Sequence, residues 1–256
     1  MDLNQILFGV YPYIALSVLA IGSVVRFDRE PYSWRSGSSQ LLRRKQLVLG
    51  STLFHIGVLM IFGGHFVGLL TPVWVWDTLG VAHSAKQMLA IVAGGIAGLM
   101  ALAGGALLLH RRLMDPRIRA TSSFGDTAIL ILLMLQLLLG LSTIPVSLQH
   151  RDGTEMLKFM NWAQGIFTFR PHVADFVADT QWVFKAHLTL GMTILLVFPF
   201  TRLVHMLSAP IWYLNRRGWQ LVRTKRVLPR RPERLAPTYP TVVAPSAAND
   251  QLEAAE

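Results

Sequence analysis

Long apolar runs alternate with short polar and basic stretches along this chain. A bilayer core of about 30 Å needs roughly 20 apolar residues as helix. Five runs meet that need, near residues 6–25, 47–70, 88–109, 127–148 and 182–207. Inside hydrocarbon each segment must satisfy its own backbone polar groups, so these runs are helices, not strands. Pro12 lies in the first run and Pro199 in the fifth. A proline within a span gives a kink that neighbouring helices accommodate. Only Asp2 precedes the first run as a charge, no small-residue cleavage site follows it, and Arg26, Asp28 and Arg29 flank it. It reads as a retained span, not a signal peptide. The pattern therefore predicts an all-α integral membrane protein, a bundle of five transmembrane helices.

The loops predict an orientation. Arg26, Arg29, Arg35, Arg43, Arg44 and Lys45 follow the first span, and Arg111, Arg112, Arg117 and Arg119 follow the third. Arg216, Arg217, Arg223, Lys225, Arg226, Arg230, Arg231 and Arg234 follow the fifth. The alternate loops are sparse in net charge: Lys86 stands after the second span, and basic and acidic residues balance after the fourth. Basic residues mark cytoplasmic loops, which puts the N-terminus outside and the C-terminus in the cytoplasm. The chain divides into a membrane domain, residues 1–222, and a cytoplasmic tail, residues 223–256. The tail is basic at first, then rich in Pro and Ala, and is expected to be disordered. Trp74 with Trp76, and Trp212 with Tyr213, fall where interfacial aromatics belong.

Composition narrows the chemistry. Of 256 residues, 52% are hydrophobic and 15% charged, against about 25% charged in a soluble domain. The net charge of +10 would suit a nucleic-acid binder, but the apolar excess would not. With no cysteine, the chain holds no disulfide, thiolate nucleophile, Fe–S cluster or Cys-ligated zinc. A metal here must rest on His, carboxylate or Met.

Four of the eight histidines lie inside predicted spans: His55 and His65 on the second, His187 and His205 on the fifth. Ionisable residues at such depth are costly and usually functional. A single one is most simply a satisfied interhelical hydrogen bond. Two on each of two antiparallel helices form two levels: His65 with His187 toward the outside, His55 with His205 toward the inside. Two such pairs can supply the axial ligands of two stacked haems, and two imidazoles per iron suit electron transfer. Periodicity agrees only in part. His187 and His205 stand 18 apart, about five turns with a rise of about 27 Å. His55 and His65 stand 10 apart, about 15 Å in rise and roughly 80° apart around the helix. Both pairs form only if the helices tilt or kink, and Pro199 is placed to supply a bend. Gly57, Gly63, Gly64, Gly68 and Gly191 flank these histidines and would admit a flat macrocycle. Close helix packing is the plainer reading for Gly94, Gly98, Gly104 and Gly105 on the third span. The remaining histidines, His83, His110, His150 and His172, read as solvated or interfacial.

Four motifs are familiar as a set. "SSQLLRRK…STLFHIGVLMIFGGHFVGLLTP", "RRLMDPRIRATSSFGD", "LLLGLSTIPVSLQHRDGTEM" and "FKAHLTLGMTILLVFPFTRLVH" occur in that order. Over roughly residues 11–222 the chain resembles the γ subunit of respiratory nitrate reductase. The resemblance implies a five-helix dihaem cytochrome b that oxidises quinol (menaquinol or ubiquinol). It implies two haem b groups, His65 and His187 on the distal one and His55 and His205 on the proximal one. It places Lys86 at the quinol site, at the outer start of the third helix. A lysine there would otherwise be read as snorkelling to the interface. The family's partners are an Fe–S β subunit and a molybdenum-containing α subunit on the cytoplasmic side, with the complex in the inner membrane.

The mechanism this implies releases two protons outside and moves electrons from the outer haem to the inner one, then to the partner's Fe–S clusters. An inside-negative potential opposes that movement by about 2.3 kcal/mol per 100 mV for each electron, which the acceptor, nitrate in the family, must supply. A dihaem cytochrome could equally serve a hydrogenase, a formate dehydrogenase or a heterodisulfide-type reductase. A transporter lined by histidines would need polar neighbours along a path, yet the neighbours are Leu, Ile, Phe and Gly. Arg111, Arg112 and Arg202 are candidates for haem-propionate or partner contacts. No nucleic-acid partner is expected.

Overall fold

The computed structural model describes residues 2–34 and 42–208. The expected tail, its basic residues and the Trp212–Tyr213 pair lie outside the described residues. Among these residues the elements are helical, in the order α1 (Tyr11–Arg29), α2 (Arg44–Leu70), α3 (Val73–Thr78), α4 (His83–Met114), α5 (Pro116–Thr121), α6 (Phe124–Gln149), α7 (Thr154–Phe167) and α8 (Trp182–Val197). Five apolar helices are long enough to span a membrane: Gln5–Arg29, Arg44–Leu70, His83–Met114, Phe124–Gln149 and Trp182–Phe200. The predicted five-helix bundle is therefore the observed one. Neighbours run α2, α4, α6, α8, α1, so sequence neighbours mostly pack as antiparallel pairs.

The prolines shape the ends. A single π-helical stretch, Gln5–Val10, opens the first span immediately before Pro12. Proline has no N–H to give the carbonyl four residues back. That carbonyl belongs to Phe8, and it accepts instead from Trp162 Nε1 at 3.0 Å. The freed backbone group thus becomes the anchor for α7, around a core of Phe8, Trp162, Ile166 and Val177.

Small residues close the α2–α4 seam. A Cβ on Gly57 would fall 2.6 Å from the backbone of Ala97 and Ala101, and one on Gly104 would fall 2.4 Å from Phe54 N. Gly98 and Gly105 are likewise filled by Leu141 and Met134. Seven and eleven residues past Gly57, on the same helical face, Gly64 and Gly68 meet nothing within 4 Å, nor does Gly94 on α4. The seam is tight in its first half and open toward the second.

Two expectations need correction. The fifth helix does not continue to residue 207. It ends at Val197, and 3-10 turns at Phe198–Phe200 and Arg202–Ser208 follow. Pro199 cannot donate to Leu195 O, and Phe198 N takes that acceptor as the helix stops. The stretch between the fourth and fifth spans is also more than a loop. It contains α7, whose Met160, Trp162, Ala163 and Ile166 are buried. At the opposite end of the bundle Asp115 caps α5, accepting from Arg117 N and Ile118 N, and Arg43 Nε lies 2.8 Å away. Burial acts to raise the Asp115 pKa, but those amides and Arg43 outweigh it and hold the carboxyl below its ordinary value.

Candidate functional site

The four histidines expected within spans meet in two pairs, although His205 stands just past the end of the fifth apolar helix. His65 on α2 faces His187 on α8 with ring centroids 6.2 Å apart, their planes inclined by 47°. His55 on α2 faces His205, on the 3-10 turn after α8, also at 6.2 Å and inclined by 70°. This is the pairing that the antiparallel run of the two helices predicts. The mismatch in spacing is resolved by the early end of α8. From His187 to Val197 is ten residues, as from His55 to His65, and each rises about 15 Å. The chain then turns at Phe198–Thr201, and the Arg202–Ser208 turn brings His205 to His55 near that level.

The donor set suits a metal between the rings. Two metal–imidazole bonds of about 2 Å, with about 1.1 Å from each nitrogen to its ring centre, place centroids about 6 Å apart. His55 Nδ1 lies 2.7 Å from Ser51 O, and His65 Nδ1 lies 2.8 Å from Ile61 O. His205 Nδ1 lies 2.5 Å from Arg202 O. An N–H given to a backbone carbonyl orients the ring and leaves Nε2 as the lone-pair nitrogen. His187 is held differently: Gln136 Nε2 donates to its backbone oxygen at 3.1 Å. Gly140 lies under its ring, where a Cβ would stand 3.0 Å from Cε1. His187 Nδ1 is a buried polar atom with no hydrogen-bond partner among the described residues. The ring pairs, the oriented nitrogens and the open glycines beside His65 fit a flat iron macrocycle at each level.

Lys86 does not snorkel. It is 5% exposed and turns inward near the open end of the seam. Its Nζ donates to Gly68 O at 2.8 Å, lies 2.8 Å from Met160 Sδ of α7, and sits 4.5 Å above the Trp76 ring. Trp76 thus packs on Lys86, while Trp74 is exposed. Gly68 is three residues from His65, so Lys86 and the His65–His187 pair share one end of the bundle. At the other end, Arg112 and Arg202 approach Asp126 at 3.9 and 3.7 Å, and Arg111 Nη2 donates to Leu42 O at 2.6 Å. Arg26, Asp126, Thr201 and Arg202 line a cavity of about 500 Å³ there. Of the other histidines, His83 pairs with Asp77 at 3.1 Å and His110 with Gln46 at 3.3 Å. Gln136 and Gly140, which hold His187, are not legible in the sequence as site residues. Each acts on a partner remote in the chain, and nothing local marks it.

Five helices long and apolar enough to cross a membrane, with two histidine pairs at two levels among them, define a multi-pass membrane protein. The chain belongs to the nitrate reductase gamma subunit family, whose model matches residues 4–225. It is 49% identical over 223 residues to the respiratory nitrate reductase 1 gamma chain of Escherichia coli K12, covering 87% of this chain and 98% of that one. The respiratory nitrate reductase 2 gamma chain of the same strain is 50% identical over 224 residues, 88% and 98% of the two chains. The nitrate reductase gamma chain of Bacillus subtilis 168 is 38% identical over 213 residues, 83% and 95%. The protein is accordingly an inner-membrane subunit of a respiratory, quinol-dependent nitrate reductase complex.

Proposed function

We propose that this chain oxidises quinol near the outer face and delivers the electrons inward through two bis-histidine haems b. His65 and His187 hold the distal haem, and His55 and His205 the proximal one. The bound haems supply stepwise one-electron transfer across the membrane. The receiving partner is an Fe–S β subunit at the cytoplasmic face, joined to a molybdenum-containing α subunit that reduces nitrate. The observation that carries this reading is the repeated histidine pair with ring centroids 6.2 Å apart, at two levels between α2 and the α8 segment with the turn that follows it.

The residues divide the work. The four imidazoles hold and orient the irons, with Nδ1 of three of them tied to backbone carbonyls. Lys86, held by Gly68 O and Met160, keeps a cationic donor beside the outer pair for a quinol oxygen (menaquinol or ubiquinol). The open outer half of the α2–α4 seam leaves room for the ring. Basic loops after α1 and α4 support an N-terminus outside and a C-terminus inside, so quinol protons leave to the outside. Without cysteine, the chain must hand its electrons to clusters held by another subunit.

The test is the reduced-minus-oxidised spectrum and haem content of the purified holoenzyme. Two haems b are expected, and each His→Ala change should remove one of them, the same one for both members of a pair. A spectrum unchanged in all four variants would overturn the reading.

A further inference from the structure

We propose that Arg26 is a positioning residue for His205, the buttress of the corner that delivers this ligand to His55. The proposal rests on the haem reading of the His55–His205 pair. It starts from the observation that α8 stops at Val197, ten residues past His187, and that the chain turns before His205 is reached.

A chain that turns where a helix stops leaves carbonyls of the corner without intrahelical partners. Inside a membrane such groups must find donors elsewhere. At this corner Arg26 of α1 is the donor. Its Nη1 gives hydrogen bonds to Pro199 O at 2.6 Å and Thr201 O at 2.8 Å. Its Nε and Nη2 hold Ser33 Oγ and Ser33 O, both at 3.0 Å. Ser33 Oγ in turn donates to Glu30 O at 2.8 Å. The guanidinium therefore ties both sides of the corner to the turn that closes α1. One helical turn earlier, Gly22 admits the proline itself: a Cβ there would meet Pro199 Cβ at 2.9 Å. Thr201 completes the corner, its hydroxyl donating to Phe198 O and accepting from Leu203 N. Leu203 and Val204, next to His205, are then buried against Ile129, Ile194 and Phe198.

A basic residue at the end of a first span is ordinarily explained by topology and the helix dipole. That reading needs a positive charge and no particular geometry. Four directed hydrogen bonds onto two segments need the planar fork of arginine, which lysine cannot reproduce.

The experiment uses the whole complex in native membranes. His205→Ala and His65→Ala first assign the two haem components in the low-temperature EPR spectrum and the optical redox titration. Arg26→Gln is expected to shift or abolish the component that His205→Ala removes, and to leave the other at its wild-type position. Arg26→Lys is expected to restore it only in part, although it keeps the charge. If Arg26→Gln fails to accumulate in the membrane, Gly22→Ala, which displaces Pro199 with no change of charge, must give the same one-sided shift. Unchanged components, equal change in both, or full rescue by lysine would overturn the proposal. Failure of the underlying haem reading looks different: the wild-type complex would lack two components, or His205→Ala would leave both intact.

Discussion

Lys86 shows how burial decides the meaning of one charge. In the sequence it is a lone cation near an interface, where a long side chain would reach for water. In the structure its ammonium turns inward onto Gly68 O, Met160 Sδ and the face of Trp76. A lysine ammonium has three N–H groups. Two are directed at Gly68 and Met160, and in the proposed role the third meets a quinol oxygen. A charge-assisted hydrogen bond is worth about 1.5–3 kcal/mol. Replacing Lys86 by Ala should therefore raise KM for quinol by about tenfold to a hundredfold, with both haems retained in the optical spectrum. Steady-state kinetics with a soluble quinol analogue check this. The four histidines were legible at this scale, because an imidazole within an apolar run stands out in one sequence. Gln136, Gly140 and Arg26 were not, because a glutamine, a glycine and an interfacial arginine are unremarkable until their partners on α8 are known.

Elements follow from where backbone hydrogen bonds fail and where side chains are small. Pro12 and Pro199 each deny a donor to the carbonyl four residues back, with different results. Phe8 O gains Trp162 as donor and the first span continues, whereas the fifth helix ends and turns. Proline positions were plain in the sequence, but kinking and stopping differ by what the neighbouring elements offer. The α2–α4 seam makes a sharper case. A Cβ on Gly104 already falls 2.4 Å from Phe54 N and 2.7 Å from Gly50 O, and backbone atoms cannot rotate away. Gly104→Val should part the two helices at a cost of about 1–3 kcal/mol or more. The chain should then accumulate less in the membrane and inactivate faster on heating. Gly94→Ala, with nothing within 4 Å, should leave the fold and its thermal inactivation close to wild type. Helix α7 was missed as a helix, although Met156, Phe159, Met160, Ala163 and Ile166 repeat at helical spacing. At 14 residues it is too short to cross a bilayer, so its apolar spacing does not stand out among the long runs.

At the scale of the molecule, the proposed direction of transfer depends on the orientation of the chain in the membrane. The absence of cysteine makes it directly measurable, since one introduced thiol is unique in this subunit. Arg151→Cys, between α6 and α7, should react with an impermeant maleimide added to intact cells. Arg119→Cys, on α5, should react only after the membrane is opened. The reverse pattern would overturn the proposed topology and with it the proposed direction of electron flow. By itself the sequence determined the number of spans, the three histidines His55, His65 and His187 within them, and that this chain has no cysteine with which to hold a cluster. These follow from rules that act residue by residue: the transfer of apolar groups into hydrocarbon, the cost of an ionisable group there, and the ligand chemistry of each side chain. Only the tertiary structure decided that α8 stops at Val197, that His205 meets His55 around a corner, that Lys86 points inward and that one seam is half open. Each of these is settled by atoms from different helices competing for the same space or the same hydrogen bond, and neither space nor bond exists until the helices pack.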